Sequence, residues 1–86
     1  MAVEITPRAI EVLRRALEAA RLAPSDAGIQ VTLARSLRGP ELRTGFAEQA
    51  EPGEETIEAG GIRLFVGAEI SGILDVADEH DRIVLR

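Results

Sequence analysis

The chain has 86 residues, of which 45% are hydrophobic and 29% are charged, and its formal net charge is −5. This length and composition predict one globular domain, residues 1–86, rather than a disordered segment. The acidic balance and the lack of Tyr and Trp disfavour nucleic-acid binding, which needs cationic surface and aromatic stacking platforms. No apolar stretch is long enough to span a bilayer. We therefore expect a cytoplasmic protein with neither a membrane nor a nucleic acid as its partner.

Two residue types that carry much of protein chemistry are absent. The sequence has no cysteine, which removes disulfides, thiol nucleophiles, thiolate metal sites and cysteine-ligated clusters within these 86 residues. All ten cationic residues are arginine, so the lysine of a phosphate-binding P-loop is missing as well. His80 is the single histidine and cannot form a two-histidine metal site by itself. We accordingly predict no bound cofactor and no enzymatic activity.

The first predicted element is an amphipathic helix within residues 5–22. Thr6 is a good N-cap because its hydroxyl can accept from a free backbone N–H, and Pro7 suits the first helical position. Apolar residues then recur every three or four positions, which predicts one apolar stripe on the helix. The residues of this stripe are Ile10, Leu13, Leu17 and Ala20.

After the helix the hydrophobic period changes from 3.6 to 2, which indicates strands. Gly60 and Gly61 supply the positive φ angles that a tight hairpin turn needs. Residues 67–74 are interpreted as one or two helical turns. One long helix followed by a strand-rich remainder predicts an α+β domain. The predicted strands are residues 28–35, 41–49, the two arms of a hairpin over 56–66, and 82–86.

An acidic turn near the end of the sequence is a candidate metal site. Carboxylates together with one imidazole can bind a divalent cation. The alternative is a solvated turn between two short elements, and it is favoured because no spacing matches a known metal-binding loop. The turn contains Asp75, Asp78, Glu79, His80 and Asp81, of which Asp78, His80 and Asp81 are the weak candidates for ligands.

A second candidate site surrounds the Gly39-Pro40 break. Arg35, Arg38 and Arg43 place three cations and one glutamate in nine residues of a chain whose net charge is −5. Such a reversal of sign can attract an acidic partner or hold a small anion through forked guanidinium contacts. The alternative is that these arginines form exposed pairs with nearby carboxylates, each contributing about 0–1 kcal/mol.

Taken together, these segments resemble the HesB/IscA-like family, the A-type carriers of iron–sulfur cluster biogenesis. "ITPRAIEVLRRAL" resembles the family's first helix, and "GIQVTLA" is similar to the strand that follows it. The longer segment "GFAEQAEPGEETIEAGGIRLFVGAEISGILD" matches the family pattern without gaps. Its matching positions are Phe46, Ile57, Gly61, Ile62, Leu64, Val66 and Asp75.

The resemblance implies a compact, β-rich fold of mixed sheets with one main helix at its N-terminal end, to which the interpretation of residues 67–74 adds a short second helix. In the carriers, function rests on one cysteine in a Cys-Ser-Gly loop and two in a C-terminal Cys-Gly-Cys. Register with the family places Leu37 at the loop cysteine and Gly39 at the glycine of that loop. None of the family's ligands can therefore be transferred to this sequence.

Three hypotheses about function follow. The first is a non-enzymatic, cysteine-less relative of the carriers that acts as a protein-interaction module, with another protein or a second copy as its partner. The first alternative is a module that binds an anion or an acidic partner through Arg35, Arg38 and Arg43. The second alternative is a small divalent-metal-binding protein that uses the acidic turn at residues 75–81.

Overall fold

The computed structural model describes residues 3–37, 39–77 and 82–86. In that part of the chain, one helix and seven strands form an α+β domain with two mixed sheets, as predicted. In chain order the elements are β1 (Val3–Ile5), α1 (Pro7–Ala19), β2 (Gly28–Ser36), β3 (Gly39–Ala47), β4 (Glu54–Ala59), β5 (Ile62–Gly67), β6 (Gly72–Ala77) and β7 (Arg82–Leu85).

Helix α1 begins at the predicted N-cap. Thr6 has an extended backbone, and its Oγ1 accepts a hydrogen bond of 3.2 Å from the backbone N–H of Ala9. The helix ends at Ala19, and Arg21 then takes a positive φ of 59°, the conformation that commonly closes a helix. Leu13 and Leu17 are buried and Ile10 packs against the core partly buried, so these three residues of the predicted stripe are confirmed. Ala20, the fourth, is the exposed C-cap residue.

The larger sheet has four strands in the order β3-β2-β5-β4. β2 pairs antiparallel with β3 and parallel with β5, while β4 and β5 form the antiparallel hairpin predicted around Gly60 and Gly61. β5 is buried on both faces. Leu64 and Val66 lie on the face of β5 that packs on the core, and Phe65, on the opposite face, is only 2% exposed.

The smaller sheet, in the order β1-β6-β7, joins the two ends of the described chain. β1 pairs parallel with β6, bringing Val3 opposite Gly72, and β6 pairs antiparallel with β7. The terminal strand predicted at residues 82–86 is confirmed. β1 was not predicted, because its three residues lie beside the stronger helical pattern.

The predicted helical turns over residues 67–74 are wrong, and the part of the chain that the structure describes has no second helix. A single turn is closed by the N–H of Ile70 donating to the carbonyl of Gly67 over 3.0 Å. Gly72 then takes a φ of +118°, and β6 begins there. Leu74 and Val76, which are two residues apart and so share one face of β6, are both buried. β6 is the central strand of its sheet, between β1 and β7.

The core lies between α1 and the inner face of the four-stranded sheet and continues to Ile70, in the turn before β6, and to Leu74 of the smaller sheet. None of the described residues that are buried is polar or charged. The buried cluster consists of Leu13, Leu17, Ala27, Ile29, Val31, Ile62, Leu64, Val66, Ile70 and Leu74.

Candidate functional site

The predicted arginine loop is the tip of a β-hairpin formed by β2 and β3. The two strands extend until Ser36 pairs with Gly39, so the connection between them is only two residues long. Gly39 has a φ of +104°, a conformation that residues with side chains rarely adopt. The hydroxyl of Ser36 donates to the Gly39 carbonyl over 3.1 Å. Short loop length and a glycine at the strained position therefore fix this turn.

Leu37, the first residue of the turn, has a relative exposure of 109%. Its apolar side chain projects fully into solvent at the position where the resemblance places the carriers' loop cysteine. The other large hydrophobic residues that are markedly exposed are Phe46 at 48% and Ile73 at 40%. The tip of the hairpin thus presents a hydrocarbon group and no metal-ligating atom at this position.

The hairpin places Arg35 and Arg43 on opposite faces. Arg35 lies opposite Pro40, and Arg43 lies opposite Thr32, three positions further from the turn. Because side chains alternate between the faces of a strand, an odd separation puts the two guanidinium groups on different sides of the ribbon. The structure does not bring them together into one anion site. Arg38 lies outside the described residues.

A groove of about 500 Å³ lies between the hairpin of β2 and β3 and strand β7. Leu33 and Leu42 form its wall on the hairpin side, and the opposite wall is β7. The lining is mainly apolar and includes one charge on each side, Glu41 and Arg82. The complete lining is Leu33, Pro40, Glu41, Leu42, Arg82, Ile83, Val84 and Leu85.

Asp75 is the one member of the predicted acidic turn that the structure describes, and its carboxylate is already engaged. Oδ1 accepts from the Thr6 hydroxyl over 2.9 Å and from the N–H of Val76 over 2.8 Å. Oδ2 accepts from Nε of Arg86 over 2.9 Å. Asp78, Glu79, His80 and Asp81 lie outside the described residues. Elsewhere in residues 3–77 and 82–86, where described, no three acidic, His or Cys side chains converge as metal ligands.

These hydrogen bonds hold the pKa of Asp75 below its ordinary value. The backbone N–H of Val76 makes the largest contribution, the Thr6 hydroxyl and Arg86 add to it, and burial opposes them. Asp75 therefore remains a carboxylate that fastens β6 to the start of α1. No local sequence pattern indicates this role, because Thr6 is 69 positions away.

The atoms at the hairpin tip do not fit an iron–sulfur cluster. Iron in such clusters is held by thiolates, or in some centres by imidazoles, and the sequence has no cysteine. Of the residues that the structure describes at the turn, Ser36 offers a hydroxyl, which is bonded to Gly39, and Leu37 offers only hydrocarbon. No chemistry of a bound cluster is assigned to this hairpin.

Within the described ranges, no helix is long and apolar enough to cross a membrane.

Comparison with family models found no match, and comparison with curated proteins also found none. Solved structures do match along the whole chain. The crystal structure of Escherichia coli SufA, described as involved in the biosynthesis of iron–sulfur clusters, superposes with a TM-score of 0.68 at 18% identity. The match covers 99% of this chain and 77% of SufA.

Two further structures are similar to the same extent. IscA with a [2Fe-2S] cluster gives a TM-score of 0.68 at 22% identity, covering 99% of this chain and 82% of that protein. A protein from Aquifex aeolicus, solved by NMR, gives a TM-score of 0.71 at 16% identity over 100% of this chain and 95% of its own. One helix and two mixed sheets in this arrangement are the HesB/IscA fold, and the fold predicted from the sequence is confirmed.

Proposed function

We propose that this protein is a non-enzymatic relative of the iron–sulfur cluster carriers that binds a protein partner instead of a cluster. The observation that carries the proposal is a carrier-like fold over the whole chain whose hairpin tip presents Leu37 where the family resemblance expects a thiolate. The proposal places the protein in the cytoplasm, beside the iron–sulfur assembly proteins whose fold it has.

The exposure of Leu37 supports a role in protein contact. A leucine side chain that is fully hydrated gains about 1.5–3 kcal/mol when a partner buries it. The strand ends on either side of Leu37 are held together, since Ser36 pairs with Gly39. An apolar residue beside paired strand ends loses less conformational freedom on binding than one in a long loop, which favours its use as an anchor.

Cluster reconstitution under anaerobic conditions tests the first half of the proposal. The protein is incubated with ferrous iron, sulfide and a thiol reductant, then desalted, and its visible absorption and bound iron are measured. IscA treated in parallel is the positive control. We expect no stable visible band and no stoichiometric iron. A desalted protein that retains a stoichiometric cluster would contradict the proposal.

Comparative affinity capture tests the second half. The wild-type protein and Leu37→Ser are used as baits in extracts of the native cell, with Ile73→Ser as the matched control. Ile73 is also an exposed aliphatic residue, but it lies on β6. We expect a partner that the wild type and Ile73→Ser retain and that Leu37→Ser loses. Equal recovery by all three baits would exclude the hairpin tip as the contact.

A further inference from the structure

The groove between the hairpin and β7 runs along an open strand edge. β7 is at one end of the order β1-β6-β7, and its ladder is with β6. All four residues of β7 line the groove, so the strand borders it along its whole length. The volume of about 500 Å³ falls within the range of about 300–1,000 Å³ that is typical of ligand sites. An open edge of this kind can accept an extended segment as a further strand.

The hydrogen bonds between β6 and β7 show which backbone groups of β7 are free to pair. Ile73 and Arg86 exchange both backbone hydrogen bonds, over 3.1 and 2.7 Å. In an antiparallel ladder such pairs alternate with pairs that make no hydrogen bond to each other. In this register Ile83 and Leu85 belong to the second kind. Their N–H and C=O groups therefore point away from β6, to the open edge.

The floor of the groove is apolar and adjoins the core. Ile83 and Leu85 lie opposite buried residues of β6, so their side chains are on the core face of β7. On the other wall, Leu33 and Leu42 pair with each other across the hairpin. All four side chains are partly buried against the core cluster. A strand added to β7 would place every second side chain on this apolar floor.

The charges beside the groove favour an acidic occupant. Arg82 begins β7 and is exposed. Arg35 lies opposite Pro40 and, two residues beyond Leu33, is on the same face of the hairpin as the apolar wall. The same alternation puts the side chain of Glu41 on the other face. Neither Arg35 nor Arg82 makes an ion pair or hydrogen bond within the described part of the chain, so both can pair with carboxylates of a ligand.

From these observations we infer that the groove binds an extended, acidic segment of a partner protein, which adds to β7 as a fourth strand of the smaller sheet. The backbone of the segment exchanges hydrogen bonds with Ile83 and Leu85. Its alternate apolar side chains lie on the floor of the groove, and the acidic residues that flank them meet Arg35 and Arg82. This inference rests on the proposed function, because it states the chemistry by which a protein partner is recognised, but Leu37 does not line the groove.

Selection from a phage library of random octapeptides on the immobilised wild-type protein identifies the preferred segment. We expect enriched sequences with two apolar residues separated by one position and at least one Asp or Glu beside them. A fluorescein-labelled synthetic peptide of the most frequent sequence is then titrated with the protein, and its fluorescence anisotropy is measured. Failure to enrich any sequence, or enrichment of basic sequences, would overturn the proposal.

Methylation of single backbone nitrogens in that peptide tests the strand pairing on the unaltered protein. An N-methyl group removes one donor, so at alternate positions it should weaken binding by about tenfold. At the positions between them the N–H points away from β7, and methylation should leave the affinity nearly unchanged. Loss of affinity at consecutive positions, or at none, would exclude pairing with β7.

Variants of the groove test where the peptide lies. Leu42→Ser removes part of the apolar floor and should weaken binding by about tenfold, whereas Ile73→Ser, the matched control on β6, should not. Arg35→Gln and Arg82→Gln should each weaken binding by about two- to fivefold, with Arg21→Gln, at an exposed position after α1, as their control. Urea unfolding verifies the fold of each variant. Equal affinity of Leu42→Ser and the wild type would overturn the assignment.

Two further measurements separate the groove from the hairpin tip and from self-association. Leu37→Ser should bind the peptide as the wild type does, and loss of the peptide in this variant would move the site to the tip. If no peptide binds while the affinity capture still depends on Leu37, the groove proposal alone fails. If the peptide binds but capture does not depend on Leu37, the hairpin tip alone fails. A wild-type dimer that Leu42→Ser dissociates in sedimentation velocity would assign the groove to a second copy and overturn the proposal.

Discussion

The hydroxyl of Thr6 connects two parts of the fold that are 69 residues apart, because it donates to Oδ1 of Asp75 over 2.9 Å while accepting from the N–H of Ala9 over 3.2 Å. One side chain therefore caps α1 and anchors β6. The backbone N–H of Thr6 adds a second link, since it donates to the carbonyl of Leu74 over 2.9 Å. The start of the helix is thus set by the smaller sheet as well as by local sequence.

Replacing Thr6 tests this double role. Thr6→Val keeps the shape of the side chain but removes the hydroxyl, and we expect a loss of about 1 kcal/mol in the free energy of unfolding from the cap alone. Thr6→Ser keeps the hydroxyl and should remain close to the wild type. Urea denaturation of the three proteins measures the difference. Equal midpoints for Thr6→Val and the wild type would contradict the assignment.

The lowered pKa of Asp75 predicts a pH dependence of stability. Folding lowers this pKa below its value in the unfolded chain. The ionised carboxylate therefore stabilises the fold at pH values above the unfolded-state pKa, and this stabilisation is lost as the pH falls through the folded-state pKa. Asp75→Asn should be less stable than the wild type at neutral pH, and the difference should shrink progressively in acid. Urea midpoints over a pH series measure it.

Asp26→Asn is the matched control for the pH series, because Asp26 is exposed in the turn before β2. The urea midpoints of Asp26→Asn should change with pH in the same way as those of the wild type. If Asp75→Asn remained equally destabilised at neutral and at acidic pH, the carboxylate charge would not be the cause.

The turn between β4 and β5 predicts a difference between two adjacent glycines. Gly60 and Gly61 both have positive φ angles, 57° and 83°, so alanine is strained at either position, by about 1–2 kcal/mol. A Cβ on Gly60 would also collide with Cγ2 of Ile10, whereas a Cβ on Gly61 would meet open space. Gly60→Ala should therefore be clearly less stable than Gly61→Ala in thermal or urea unfolding.

A double variant tests the collision directly. Adding Ile10→Ala to Gly60→Ala removes the colliding methyl group. The double variant should therefore lose less stability than the sum of the losses measured for Ile10→Ala and Gly60→Ala alone. Strict additivity would mean that the backbone conformation alone sets the cost at Gly60.

Leu17 and Leu37 lie in opposite environments, so shortening each side chain should affect stability differently. Leu17 is 1% exposed in the core, and Leu37 is 109% exposed at the hairpin tip. Leu17→Ala should lower the free energy of unfolding by about 2–5 kcal/mol, and Leu37→Ala should change it by no more than about 0.5 kcal/mol. Urea unfolding checks both. A marked loss of stability in Leu37→Ala would show that the tip is packed.

The hypothesis that the arginines hold a small anion also has a definite expected outcome. A forked contact to one anion needs guanidinium groups on the same side, but Arg35 and Arg43 lie on opposite faces of the hairpin. Calorimetric titration with inorganic pyrophosphate should give no saturable heat. Saturable binding that Arg35→Gln and Arg43→Gln each abolish would establish a joint site and contradict this expectation.

Sequence patterns predicted the elements whose hydrophobic period is regular and whose turns have clear residues. Thr6-Pro7 marked the start of α1, and Gly60-Gly61 marked the hairpin of β4 and β5. Residues 67–74 were misassigned because Ile70 and Leu74 are four apart, which imitates a helical face. Both are buried, but β6 becomes a strand through pairing with β1 and β7, and such long-range partners leave no local signal.

The candidate site was predictable to a lesser degree. The Gly39-Pro40 break located the hairpin tip, and the family resemblance singled out Leu37. Whether Arg35 and Arg43 lie on the same face of the hairpin depends on the number of residues in the turn. Adding or removing one residue in the turn would shift the register by one position and move one arginine to the other face. A longer loop, as expected from the sequence, would have left their relation undefined.

The parallel pairing of β1 with β6 has a consequence for how the chain acquires its structure. Helix α1 and the four-stranded sheet use contacts that are available once residues up to 67 have been synthesised, whereas the ladder between β1 and β6 also needs residues 72–74. Closing so large a loop is slow relative to local pairing. We therefore expect the smaller sheet to form last, and the hydroxyl of Thr6 to acquire its second partner only in that final step.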